Sequence, residues 1–225
     1  MRLIGVGVGP GDPEHLTLKA LRVLRTADRV FAPAGGRAAA IVAEHVKVTT
    51  LEFAMTDEGA RDEHWDRAGA AIAEVARTGT AAFATLGDPN LYSTFAYVAE
   101  TVRDLVPEIA IEIIPGITAM QDLAARSGTV LAEGTERLAL VPYTAGDGPL
   151  RAALESFDTV VVYKGGRQLP QLLEAVRDAG ALDRAVYGEQ VGLPDERVGA
   201  PRDGAGPYMS TVIVPAARER RGGRI

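Results

Sequence analysis

The residues of this chain best placed to do chemistry lie in Leu86-Gly87-Asp88-Pro89-Asn90-Leu91-Tyr92-Ser93-Thr94-Phe95. A Gly-Asp-Pro turn at the C-terminal end of a strand puts backbone N–H groups and one carboxylate where open α/β sheets bind ligands. Held between Gly87 and Pro89, Asp88 cannot be a charge on a helix face. It is either a proton relay or the acceptor of an Asx turn. Tyr92, Ser93 and Thr94 read as the first turn of the next helix, their hydroxyls either capping it or facing a ligand. Two further strand exits are rich in small residues: Gly5-Val6-Gly7-Val8-Gly9-Pro10-Gly11-Asp12-Pro13, and Ile113-Ile114-Pro115-Gly116-Ile117-Thr118-Ala119. There Thr118 is either a helix cap or a ligand donor. Three such turns converging on one sheet edge build a pocket for a small molecule. Cations also fall at strand ends. They are Arg37 in the Pro33–Arg37 loop, and Lys164 and Arg167 in Tyr163-Lys164-Gly165-Gly166-Arg167. These side chains are either solvated or set to hold a polycarboxylate.

The elements that must position these turns follow from periodicity. Apolar runs at Arg2–Gly7, Arg29–Ala32, Lys47–Leu51, Thr80–Thr85 and Ala110–Ile114 predict strands. Helical patterns over Leu16–Thr26, Ala38–His45, Arg61–Arg77 and Tyr92–Leu105 alternate with them. This alternation predicts a mostly parallel sheet with helices on both faces. After a Thr118–Arg126 helix, the polar stretch Ser127–Glu136 reads as a connection between domains. The second half predicts strands at Arg137–Val141, Thr159–Tyr163, Ala185–Glu189 and Tyr208–Val214, with helices at Leu150–Ser156 and Leu169–Ala179. Val191–Arg202 reads as a hairpin-like excursion. The expected fold is α/β, two α/β domains with a ligand cleft between them.

Composition removes several classes of function. The 225 residues are 47% hydrophobic and 24% charged, the balance of a globular protein. Cysteine is absent, which excludes disulfides, thiolate zinc sites and a cysteine nucleophile. His15, His45 and His64 share no metal-ligand spacing, so no metal is expected. A net charge of −6 argues against nonspecific nucleic-acid binding. No apolar run reaches the roughly 18–20 residues that span a membrane. No signal-peptide layout precedes the first strand, so a cytoplasmic protein is expected. The basic run Arg218–Arg224 reads as a disordered, solubilising end. The first-strand glycines do not fit a dinucleotide fingerprint: counted from Gly5 the third glycine falls on Pro10, and counted from Gly7 on Asp12.

Taken together, Gly-Val-Gly-Pro-Gly-Asp-Pro at residues 7–13, Leu16-Thr17-Leu18-Lys19-Ala20, Gly87-Asp88-Pro89 and Pro115-Gly116-Ile117-Thr118 resemble the tetrapyrrole (corrin/porphyrin) methyltransferases over nearly the whole chain. Within that family, residues 87–95 are most similar to the branch that methylates precorrin-2 at C20 in cobalamin biosynthesis. The resemblance implies a homodimeric enzyme whose domains, residues 1–117 and 118–225, hold S-adenosylmethionine between them. By matching motif positions, Pro10, Gly87, Asp88, Leu91, Thr118 and Ala119 would contact it, with Lys164 and Thr211 towards the adenine. Members of the family often carry an apolar residue where this chain has Lys164, which leaves open whether that side chain reaches the substrate instead. Asp88 and Tyr92 are the candidates to move a proton, and Arg37, Ser93 and Arg167 those to hold a substrate with eight carboxylates. Two other readings stay open: methylation of another tetrapyrrole carbon, and a non-catalytic adenosine-binding module.

Overall fold

A computed structural model describes residues 1–53, 58–144 and 146–218, without side chains for 58–61. Packing divides the chain into two compact units, Met1–Thr118 and Ala119–Ile225. The passage 127–136, expected to join domains, lies inside the second.

The first unit is a five-stranded sheet in the order β3-β2-β4-β1-β5. Its strands are β1 (Arg2–Gly7), β2 (Arg29–Pro33), β3 (Val48–Leu51), β4 (Thr80–Thr85) and β5 (Ala110–Ile114). All four pairings are parallel. A parallel sheet is covered on both faces, and the alternation along β4 shows how. Ala81 and Phe83 pack into one apolar cluster with α3 (Glu58–Ala76) and α4 (Phe95–Leu105). Ala82 and Ala84 pack into the opposite cluster with α1 (Leu18–Thr26) and α2 (Arg37–Ala43). Gly5 of β1 leaves room for the Phe95 ring: a Cβ there would lie 2.5 Å from it. The start of α4 is thereby seated on the sheet.

The second unit is a mixed sheet, β6-β7-β10-β8-β9. It comprises β6 (Leu138–Pro142), β7 (Thr159–Tyr163), β8 (Val186–Glu189), β9 (Arg197–Gly199) and β10 (Ser210–Val214). Strands β6 and β7 pair in parallel; β10 is antiparallel to β7 and β8, and β9 to β8. The predicted excursion after β8 therefore supplies an edge strand. Helices α6 (Asp147–Ser156) and α7 (Leu169–Asp178) cover one face, and α5 (Ala119–Ser127) the other.

Three expectations are corrected. Helix α4 begins at Phe95, not Tyr92, because Tyr92 sits at φ 51°, a left-handed conformation that ends any helical run. Arg37 is the first residue of α2 rather than part of a loop. Arg218 is not a free end: its guanidinium grips the buried Glu136 carboxylate through Nε at 2.9 Å and through Nη2, and donates to the Val130 carbonyl. The rest of that basic run, 219–224, lies outside the described residues.

Candidate functional site

Adjacent parallel strands whose following helices leave to opposite faces open a crevice at their carboxyl ends. In the first unit these strands are β1 and β4: α1 packs on one face of the sheet and α4 on the other. Here the glycine-rich turns meet. The Gly87 N–H donates to the Gly9 carbonyl at 2.8 Å, forming an isolated bridge between the two exits. The β5 exit closes against both. A Cβ on Gly116 would lie 2.1 Å from the Gly87 carbonyl oxygen, and one on Gly7 would lie 2.6 Å from both that oxygen and the Gly116 nitrogen. Gly7 and Gly116 are therefore glycines because three backbones touch, not because a ligand must approach them. Gly87 differs. It adopts φ +69°, and a Cβ there would meet only the Ile117 carbonyl oxygen, at 3.9 Å, so its glycine is required by backbone conformation and not by a clash.

Asp88 braces this junction. One carboxylate oxygen accepts the Asn90 N–H at 2.8 Å, completing an Asx turn; the other accepts the Gly116 N–H at 3.0 Å. The Asx-turn alternative is thus present, and the same carboxylate also ties β4's exit to β5's. With both oxygens engaged by backbone donors, Asp88 is placed as an acceptor rather than as a loose proton carrier. Ser93 is similarly engaged: its hydroxyl pairs with Thr85 Oγ1 at 2.8 Å and accepts the Phe95 N–H at 3.1 Å, capping α4. Tyr92 remains 41% exposed at the start of this cap, and the partial burial of its ring raises its phenol pKa above the ordinary value. It is a neutral hydroxyl at physiological pH. Pro10 and Thr118 are buried, while Leu91 is half-buried and its N–H closes the turn on the Asp88 carbonyl.

The predicted residues of the second unit gather around Tyr163. Its hydroxyl accepts the Met120 N–H at 3.2 Å, fixing the start of α5, where Ala119 lies, against the end of β7. Thr211 of β10 pairs in register with Tyr163, and Lys164 follows it at φ 61°. A lysine held in left-handed backbone costs about 1–2 kcal/mol, a strain that ordinary strand exits do not carry. The loop before β10 is laid on this turn. Gly206 N–H donates to the Gly166 carbonyl at 2.7 Å, and a Cβ on Gly166 would lie 1.8 Å from the Pro207 carbonyl oxygen. That loop is anchored by Arg202 on the buried Glu189 carboxylate, which also accepts the Tyr187 hydroxyl at 2.6 Å. Burial and this hydrogen bond push the Tyr187 phenol well above its usual pKa.

The predicted cations differ in their settings. Arg167 is exposed, with its guanidinium 6.0 Å above the Tyr208 ring. Arg37 stands at the N-terminus of α2, where the helix dipole disfavours a positive charge, so helix stability does not explain it. Sequence reasoning missed Tyr163, whose phenol links two elements, and it missed a groove beside α4. Neither has a local signal, because each is assembled from residues far apart in the chain. Among the described residues, no helix is long and apolar enough to cross a membrane, and no group of three or more histidines and carboxylates could hold a metal ion.

The family model of tetrapyrrole (corrin/porphyrin) methylases matches residues 2–202, and the chain belongs to that family. It is 34% identical to a precorrin-2 C(20)-methyltransferase of Sinorhizobium sp, covering 97% of both chains. It is 31% identical to a cobalt-precorrin-2 C(20)-methyltransferase of Salmonella typhimurium, covering 95% of both. Among solved structures it resembles a uroporphyrin-III C-methyl transferase from Thermus thermophilus complexed with S-adenosylhomocysteine. The TM-score is 0.71 at 23% identity, over 96% of this chain and 97% of that one. The family uses S-adenosylmethionine as its methyl donor.

Proposed function

We propose that this protein transfers a methyl group from S-adenosylmethionine to C20 of precorrin-2, or of its cobalt complex, in cobalamin biosynthesis. The observation that carries this reading is the match over nearly the full length of both chains to relatives named for that reaction. The site chemistry is compatible with it. A sulfonium donor with an adenosyl group needs backbone donors and acceptors rather than strong charge, because the sulfonium loses its charge in the transition state. A carboxylate directly at sulfur would stabilise the ground state more than the transition state. Asp88 fits that requirement, since both of its oxygens are turned to backbone N–H groups. The bare-backbone turn at Gly87 suits close approach of the donor. Pro10, Gly87, Asp88, Leu91, Thr118, Ala119, Lys164 and Thr211 are the residues proposed to contact it, by their match to the family motifs.

When bound, S-adenosylmethionine supplies an electrophilic methyl group to an enamine-like macrocycle carbon that is already nucleophilic. The protein's share is then chiefly positioning, where a well-oriented approach lowers the barrier by several kcal/mol. Tyr92, protonated at neutral pH, serves as a hydrogen-bond donor that orients the macrocycle rather than as a base. Arg37 and Arg167 are proposed to meet carboxylate arms, and Ser93 to hold the α4 cap that presents Tyr92. We further propose a cytoplasmic homodimer without nucleic-acid partners, in keeping with its net charge of −6.

The test is to incubate the purified protein with S-adenosylmethionine carrying an isotopically labelled methyl group and precorrin-2, with and without cobalt. The expected outcome is a product heavier by one methyl whose label resonates at C20. A label at another carbon assigns a different member of the family, and binding of S-adenosylmethionine without transfer overturns the enzymatic reading.

A further inference from the structure

The first unit carries a groove of about 500 Å³ beside the β4 exit. One wall is a flank of α4 that runs from the core residues Phe95 and Ala99 to the exposed Ala96 and Arg103. The opposite wall is Ile111 and Ile113 of β5, the sheet's edge strand. Pro89 to Ser93 close one end, so the groove is continuous with the turn that carries Asp88 and Tyr92. The space exists because Ala96 and Ala99 stop at Cβ where a larger side chain would fill the angle between helix and strand. Its rim is aromatic and apolar: Tyr92, Tyr97 and Ile113 are 41%, 49% and 38% exposed. Tyr97 is held in place by stacking on Trp65, with ring centroids 4.5 Å apart and planes at 14°. At the far end stands Arg103, which is exposed and has no hydrogen-bond or ion-pair partner among the described residues.

We propose that this groove is a substrate subsite: the conjugated rim of the macrocycle lies against Tyr92, Tyr97 and Ile113, and one of its carboxylate arms pairs with Arg103. The inference rests on the methyltransferase reading above and adds residues to it. An apolar, aromatic trough ending in a guanidinium with no partner among the described residues matches a flat hydrophobic body with an acidic arm. A bare adenosine or an apolar peptide would leave the cation unanswered. The protein's net charge is −6, so overall attraction does not recruit a polycarboxylate, and a local cation must. Arg103 thereby becomes a specificity-determining residue. Its neighbours Ala96 and Ala99 are small so that the ring edge can enter.

Three variants test this: Arg103→Ala, Arg103→Lys and Ala96→Leu. Ala96 is exposed on the helix, so leucine there plugs the groove without disturbing the core. At low salt, Arg103→Ala raises KM for precorrin-2 about fivefold to tenfold, Arg103→Lys about half as much on a logarithmic scale, and Ala96→Leu at least fivefold. The S-adenosylmethionine Kd by calorimetry and the melting temperature stay at wild-type values in all three. Added salt erases the difference between wild type and Arg103→Ala but not the effect of Ala96→Leu, because only the first is electrostatic. Precorrin-2 binding followed by its absorbance, without the methyl donor, reads the groove independently of turnover. If the intact protein binds the macrocycle but does not methylate it, the reaction assigned above fails while the groove is still tested. If it methylates normally and the variants keep KM within twofold, the groove fails alone. Equal weakening for the methyl donor places these residues at the cofactor, and a changed sedimentation profile makes this face a contact between copies; either result overturns the proposal.

Discussion

Replacing Asp88 by asparagine separates bracing from proton transfer. The carboxylate accepts two backbone N–H groups, from Asn90 at 2.8 Å and from Gly116 at 3.0 Å. An amide has one acceptor oxygen. Asparagine suits the Asx turn, so that oxygen stays with Asn90 and the NH₂ group is turned on the Gly116 N–H, donor against donor. Bonds to a charged acceptor contribute about 1.5–3 kcal/mol when buried, and Asp88 is only half-buried, so losing one and opposing its donor costs about 2 kcal/mol. For a protein of this size that lowers the melting temperature by about 4–8 °C. The released strand is β5, whose exit forms one side of the site, so S-adenosylmethionine affinity falls as well. Calorimetric melting and titration of the methyl donor measure both. If Asp88 also relays a proton, kcat drops at least about tenfold below wild type at saturating donor, equivalent to about 1.4 kcal/mol of barrier, and loses one limb of its pH profile. A melting temperature within about 1 °C of wild type, with unchanged donor affinity, would refute the bracing argument. A lower melting temperature with unchanged kcat confines Asp88 to that brace.

Two more outcomes follow from the same geometry. Gly116→Ala drives a Cβ to 2.1 Å from the Gly87 carbonyl oxygen and 2.8 Å from Gly7 Cα. Both are backbone atoms that cannot rotate away, so the cost reaches about 3 kcal/mol or more. Gly87→Ala meets nothing nearer than 3.9 Å and bears only its φ of +69°, about 1–2 kcal/mol. Thermal melts must rank Gly116→Ala well below Gly87→Ala, and the reverse order sinks the account of touching backbones. Tyr187, whose hydroxyl donates to Glu189, holds its proton above the pH near 10.0 at which an ordinary tyrosine releases it. The folded state therefore binds more protons than the unfolded state in that range. Stability from this tyrosine is complete below about pH 10 and falls as pH rises beyond it. Urea titrations at about pH 9 and about pH 11 will show a steeper loss for wild type than for Tyr187→Phe, and parallel losses would contradict it.

The elements most legible in the sequence are those whose apolar runs end on turn residues. The ends of β1, β4, β5 and β7 coincide with the predicted ones because Gly, Pro or a charged residue stands at the end of each run or within two residues of it. The neighbours of a strand are a different matter. Nothing local in Thr80–Thr85 says that β4 lies between β2 and β1, and it is that order, with α1 and α4 leaving to opposite faces, that creates the crevice. The start of α4 was misplaced because Tyr92, Ser93 and Thr94 are acceptable helix residues. What excludes them is tertiary: Ser93 is drawn onto Thr85 of β4, and Phe95 onto Gly5 of β1.

Asp88 shows where local reading stops. Its partner two residues on, Asn90, is the one that turn chemistry anticipates from a Gly-Asp-Pro-Asn run. Its other partner, Gly116, lies 28 residues away, beyond an entire helix and strand. The sequence shows three small-residue turns, but nothing in it separates a glycine needed for packing from one needed for its backbone angle. In the fold, Gly7 and Gly116 are used up by contact between the turns, leaving Gly87 as the one of these three where a Cβ would meet no clash. A binding turn of this kind needs its neighbours packed tightly enough to hold it still. Glycines packed against other backbone and a glycine whose Cβ position is clear look identical in sequence until the backbones are set side by side.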